Sequence, residues 1–95
     1  MTNITYQRKI NSNVEAVRFS GSTTSAAAIK HWMETGVYNH PQITTQDFCD
    51  FYEKTPNGGI VTAKPGDYIV KLQDGSFIRQ FATIFESTYE LTKEA

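Results

Sequence analysis

The chain has 95 residues and a mass of 10.7 kDa; 39% of the residues are apolar, 20% are charged, and the aromatics comprise six Phe, five Tyr and one Trp. That length holds one core and not two, so a single domain over residues 1–95 is expected, ordered from about 4 to 91 with a frayed tail at 92–95. Nine Lys and Arg against ten Asp and Glu leave a net charge of −1, which excludes a protein built mainly to neutralise nucleic-acid phosphates.

In chain order, Tyr6–Ile10 and Val14–Phe19 are rich in β-branched and aromatic residues and are interrupted by Asn11-Ser12-Asn13, which predicts an N-terminal strand with a bend. From about Thr24 to Thr35, Ala26, Ile29, Trp32 and Met33 recur at spacings of three and four, the period of one amphipathic helix. Ser22, Thr23 or Thr24 can cap its start, and Gly36 stands where a left-handed residue closes a helix. The polar stretch Tyr38–Gln46 is a loop, with Pro41 holding His40 away from helical dihedrals.

Four strands then alternate with turn residues: Phe48–Lys54, Ile60–Lys64, Tyr68–Gln73 and Ser76–Phe81, separated by Thr55–Gly59, Pro65–Asp67 and Asp74-Gly75. Read as a two-residue type I′ turn, Asp74-Gly75 pairs Leu72 with Phe77, Val70 with Arg79 and Tyr68 with Phe81, all on one core-facing side. Ile69, Lys71, Gln73, Ser76, Ile78 and Gln80 then share the other side, a mixed polar and apolar face of the kind found at wet, reversible contacts. Ala82–Glu86 predicts a helical turn with Ile84 and Phe85 inward, and Ser87–Leu91 an extended segment that closes or edges the sheet. The expected fold is α+β: a twisted, mainly antiparallel sheet of five or six strands, open or partly rolled, packed on one helix through Ile29, Trp32 and Met33.

Few residues point to chemistry. Cys49 is the only cysteine, so no disulfide framework and no multi-cysteine metal cage can form, and the flanking Asp47 and Asp50 carboxylates disfavour a reactive thiolate. His40, Asp47, Cys49 and Asp50 bracket one loop without a metal-ligand spacing, and His31 falls on the polar flank of the helix. No metal or cofactor and no enzymatic activity are expected. Gly58-Gly59 and Pro65-Gly66-Asp67 read as turns, because neither opens a helix as a phosphate-binding loop does. Arg79 breaks the pattern: on an apolar face it needs a partner, either Glu86 or Glu90 within the chain or an anionic group in a pocket or interface. Candidate binding residues are Arg79, Lys71, Arg18, Tyr38 and His40. Arg8, Lys9 and Arg18, with Glu15 among them, make a thin nucleic-acid footprint. The first residues carry no apolar leader, and no run approaches the length of a membrane span, so a cytoplasmic protein without membrane contact is expected.

The fragments Tyr6-Gln7-Arg8-Lys9, Val14-Glu15-Ala16-Val17-Arg18-Phe19, Pro65-Gly66-Asp67-Tyr68-Ile69-Val70-Lys71, Asp74-Gly75-Ser76-Phe77 and Ile84-Phe85-Glu86-Ser87-Thr88-Tyr89-Glu90 resemble, in order, a family of small bacteriophage and prophage proteins of uncharacterised function. The likeness spans Tyr6 to Glu90. Where this chain has Arg79-Gln80-Phe81-Ala82, members of that family carry a Pro-Cys-Lys-Pro-like stretch, so no role resting on that cysteine carries over. Val37–Cys49 is longer than its counterpart and is a candidate recognition loop. The resemblance implies a phage accessory protein in the host-cell cytoplasm that binds a host or phage macromolecule, in host takeover or against a defence. Self-association through a sheet edge is a further expectation. The alternative from another class is a protein that sequesters an anionic metabolite or signalling nucleotide, with Arg79 and lysines as contacts; a small enzyme or a nucleic-acid binder ranks third.

Overall fold

The computed structural model describes residues 4–8, 12–42 and 48–94. Its elements are β1 (Ile4–Arg8), β2 (Ser12–Arg18), α1 (Thr23–Thr35), β3 (Phe51–Lys54), β4 (Ile60–Ala63), β5 (Tyr68–Lys71), β6 (Phe77–Gln80), α2 (Ala82–Thr88) and β7 (Tyr89–Glu94). The class is α+β, as expected. One antiparallel sheet has the order β6-β5-β2-β1-β7, and β3 and β4 form a separate two-stranded ribbon.

Several expectations change at this level. The N-terminal segment is two paired strands where one strand with a bend was expected: Arg8 stands opposite Ser12 and Thr5 opposite Glu15, and Ser12 and Asn13, read as part of an interruption, belong to β2. Residues 92–94 are not a tail: β7 runs to Glu94 and pairs with β1 from Arg8–Tyr89 to Ile4–Glu94, which gives that backbone its hydrogen-bonding partners.

The register of β5 and β6 differs from the expected one. Lys71 faces Phe77, Val70 faces Ile78, Ile69 faces Arg79 and Tyr68 faces Gln80, one residue away from the type I′ reading. The loop contains three residues, Gln73-Asp74-Gly75, closed by Leu72 N–H to Ser76 O (2.8 Å) and Gly75 N–H to Leu72 O (3.0 Å). Gly75 is left-handed (φ 88°) and Asp74 is not, the signature of a type I turn with a glycine bulge. Asp74 does not need a positive φ because its carboxylate works from the other conformation, accepting bonds from the Ser76 N–H (2.9 Å) and hydroxyl (2.6 Å). Those two bonds hold its carboxyl below the usual carboxylate range. The β3–β4 loop repeats the design: Thr55 N–H bonds Gly59 O (2.8 Å), Gly58 N–H bonds Thr55 O (3.0 Å), and Gly58 is left-handed.

A shift of one residue exchanges faces. Phe77 and Arg79 now join Ile69, Val17 and Phe19 on the side covered by α1 and the ribbon, where Trp32 meets Phe77 edge to face at 5.3 Å. Ile29, Trp32 and Met33 of α1 are buried there with Phe51, Val61 and Ala63 of the ribbon. Tyr68 and Val70 face the other way, onto Phe85 of α2, with Leu72 and Ile78 packed beside them. Phe85 is fully buried, stacked between Tyr68 (4.2 Å) and Tyr89 (4.7 Å). Both sides of β5 are therefore covered, and Ile69, expected on a wet face, is fully buried. A strand buried on both faces loses the polar alternation of a half-exposed one, which is why Tyr68-Ile69-Val70 reads as a continuous apolar run.

Helix α1 starts at the Ser22 cap, whose hydroxyl accepts the Ser25 N–H at 3.0 Å, and stops at Gly36 (φ 80°), whose N–H returns to Trp32 O. At α2 only half of the expectation holds, since Phe85 points in and Ile84 is 53% exposed. Phe85→Ala is expected to cost about 3–5 kcal/mol and Ile84→Ala less than about 0.5 kcal/mol in urea unfolding. Equal losses would contradict this placement of α2.

Candidate functional site

Arg79 finds its partner in the turn before β5. Pro65 and a left-handed Gly66 (φ 95°) form a turn closed by Asp67 N–H to Lys64 O at 3.0 Å, with the residue types and glycine position of type II. The Asp67 carboxylate, 11% exposed, accepts the Lys64 N–H at 3.0 Å and the Arg79 Nε–H at 2.7 Å. The Arg79 guanidinium also lies over the Phe81 ring, 4.9 Å from its centroid. Glu86, one of the two carboxylates expected to pair with Arg79, is engaged elsewhere: it accepts the Tyr68 hydroxyl at 2.9 Å, on the side of the sheet to which Arg79 does not point. The side chain of Glu90 lies outside the described residues. Arg79 therefore fastens β6 to the β4–β5 turn, and its Nε is committed to a carboxylate of the same chain.

The other candidate residues do not converge with it. Lys71 shares the Arg79 side of the sheet but stands opposite Glu15 and Phe77, at the far end of β5 from the turn. Arg18 lies on the opposite side, paired in register with Tyr68, and its Nε donates to Gly66 O at 3.3 Å. With Phe19, Ser20 and Gly66 it lines a shallow cleft of about 220 Å³. Tyr38 is buried in the α1-side core and meets the exposed His40 edge to face at 4.9 Å. Within the expected Val37–Cys49 recognition loop, residues 43–47, and with them Asp47, lie outside the described residues. Cys49 is a half-buried free thiol packed on the core, its N–H bonded to Gly21 O at 2.7 Å. His31 is exposed on α1.

A surface missed in the residue-by-residue reading is the outward face of the ribbon. β3 and β4 pair Tyr52 with Thr62 and Lys54 with Ile60, while Phe51, Val61 and Ala63 turn into the core. One step further along, the Lys64 Nζ meets the Asp50 carboxylate at 3.1 Å, so the outward set is Asp50, Tyr52 and Lys54 beside Ile60, Thr62 and Lys64. Tyr52 is 66% and Ile60 53% exposed, and Phe48, just upstream, is 73% exposed. Phe48 is also the one non-glycine among the described residues with positive φ (47°), a costly backbone for an aromatic residue. The turn residues mark Phe48–Lys54 as a strand, of which the structure keeps Phe51–Lys54; which of its faces is covered depends on the partner elements.

No family model, no curated protein and no solved structure matches the chain. Among the described residues no three His, Cys, Asp or Glu side chains gather as a metal site, and no helix is long and apolar enough to cross a membrane.

The division between Arg79 and Arg18 is measurable. Arg79→Met leaves the Asp67 carboxylate without its guanidinium and is expected to cost about 1–3 kcal/mol in urea unfolding, whereas Arg18→Met stays within about 0.5 kcal/mol. A neutral Arg79→Met would show that the pair does not hold the turn.

Proposed function

We propose that this chain is a non-catalytic binding protein that recognises another protein through the outward face of the β3–β4 ribbon. The observation that carries the reading is the joint exposure of Tyr52 and Ile60 on one face of a short ribbon whose other face is core. Tyr combines a large apolar ring with a polar tip and recurs as an anchor at protein interfaces. The surrounding Asp50, Lys54, Thr62 and Lys64 supply a polar rim suited to a contact that forms and dissociates in water. Phe48, held exposed in a strained backbone beside the Cys49–Gly21 hydrogen bond, supports the same use of this side of the molecule.

The likeness of the chain's fragments to small phage and prophage proteins supports a partner of host or phage origin in an infected bacterium, and with it a role in host takeover or in countering a defence. The commitment of Arg79 to Asp67 weakens the alternative of an anion-sequestering protein centred on that arginine.

The test compares immobilised wild-type protein with the Tyr52→Ser/Ile60→Asp double variant in capture from bacterial lysates, infected and uninfected, followed by mass spectrometry. Both changes are at exposed positions, so unfolding midpoints should agree closely. The expected outcome is one stoichiometric protein retained by wild type and lost, at least about tenfold, with the double variant. No retained protein, or one retained equally by both, contradicts the reading.

A further inference from the structure

Among the described residues the ribbon has an unpaired edge: β3 pairs with β4 alone. Thr55 N–H bonds Gly59 O at the end of the loop, so Thr55 and Gly59 are a hydrogen-bonded pair. Bonded and non-bonded pairs alternate in an antiparallel ladder. Glu53 with Val61 and Phe51 with Ala63 are then the bonded pairs, and the backbone N–H and C=O groups of Tyr52 and Lys54 point away from β4, out of the open edge. An edge with free backbone groups and an exposed aromatic side chain is a template for another strand.

We infer that this edge pairs with the same edge of a second copy of the chain, giving a symmetric four-stranded sheet β4-β3-β3-β4. Charge selects the occupant and the register. When Tyr52 lies opposite Tyr52 of the second copy, Lys54 falls opposite Asp50 of that copy, and by symmetry Asp50 falls opposite its Lys54. Asp50 is already next to Lys64 within its own chain, so the outward face would carry the row Lys64, Asp50, Lys54, Ile60 twice, running in opposite directions. Signs alternate along each row. All the outward-pointing backbone groups of Tyr52 and Lys54 meet complementary groups in this register. A slide of two residues one way sets Glu53 against Glu53 of the second copy, like charges face to face, and a slide the other way takes Lys54 past Asp50 to Phe48. The left-handed Phe48 turns the chain at that point, which limits the pairing edge to Asp50–Lys54.

The pairing is independent of the partner reading, because it uses the edge of the ribbon and leaves its outward face uncovered. It would place two copies of Tyr52 and Ile60 on one continuous surface.

Purified protein suffices for the test. In a Cys49→Ser background, Tyr52→Cys puts two thiols on the symmetry axis at a Cα separation of about 5.5 Å, within disulfide reach, whereas Ile60→Cys lies on the same face but away from the axis. Under mild oxidation Tyr52→Cys is expected to form the covalent dimer at least about tenfold faster than Ile60→Cys. Adding Lys54→Asp should slow that reaction, and further adding Asp50→Lys should restore it, because the swap rebuilds both cross-copy pairs. Equal rates for the two cysteine variants, or a charge swap that restores nothing, would overturn the proposed edge and register. Circular dichroism of each reduced variant confirms that the fold is intact.

Discussion

A three-residue loop decides where the side chains of this protein go. With Gly75 left-handed and Asp74 bonded to Ser76, β5 and β6 pair so that Phe77 and Ile69 face α1 while Val70, Tyr68 and Ile78 face α2. One residue fewer in the loop would send Phe77 away from Trp32 and bring it to the side of Phe85. The sheet would then present a large aromatic to the small helix and leave the indole of Trp32 without its edge-to-face neighbour. Register is set by a local choice of turn, and the consequences are global because each face is already spoken for by a different helix.

The same choice explains the arginine. Arg79 follows Phe77 by two residues and so shares its side of the sheet, where the Lys64–Asp67 turn presents a nearly buried carboxylate. The turn needs that carboxylate for the Lys64 N–H, and the carboxylate is stabilised by the guanidinium above it. What looks in one dimension like a charge lost on an apolar face is a clasp between the edge strand and the turn at the foot of β5. With the basic residues distributed over both sides of the sheet, the feature that points outward from the molecule is the ribbon, whose inner face is fixed by Phe51, Val61 and Ala63.

Much of this was legible in the chain. The helix and its Gly36 stop follow from period and end residues, with Ser22 one of three candidate caps; the four strands between Phe48 and Phe81 follow from the glycine-containing turns between them, although the first begins only at Phe51 and the last loop takes in Gln73. Asp-Gly failed as a guide to register because the dipeptide serves both a two-residue type I′ turn and a three-residue loop with a glycine bulge; the choice depends on which faces must be buried. That β1 and β2 pair with each other was hidden because a polar Asn11-Ser12-Asn13 stretch suits a bend as well as two paired strands, and Phe85 and Ile84 are adjacent apolar residues whose order of burial no periodicity in seven residues can settle. In the sequence Asp67 reads as a turn residue only, since its meeting with Arg79 requires the register. The exposed ribbon face was missed for a related reason: Tyr52 and Ile60 are ordinary strand residues until the structure shows which face of each strand the core takes.

Double-mutant cycles in urea unfolding test the register most directly. Phe77→Leu combined with Trp32→Phe is expected to show a coupling of about 0.5–3 kcal/mol, while Phe77→Leu with Val70→Ala should be additive to within about 0.5 kcal/mol. Coupling of Phe77 to Val70 together with additivity toward Trp32 would place β6 one residue out of this register, with Phe77 on the Val70 side, and contradict the account.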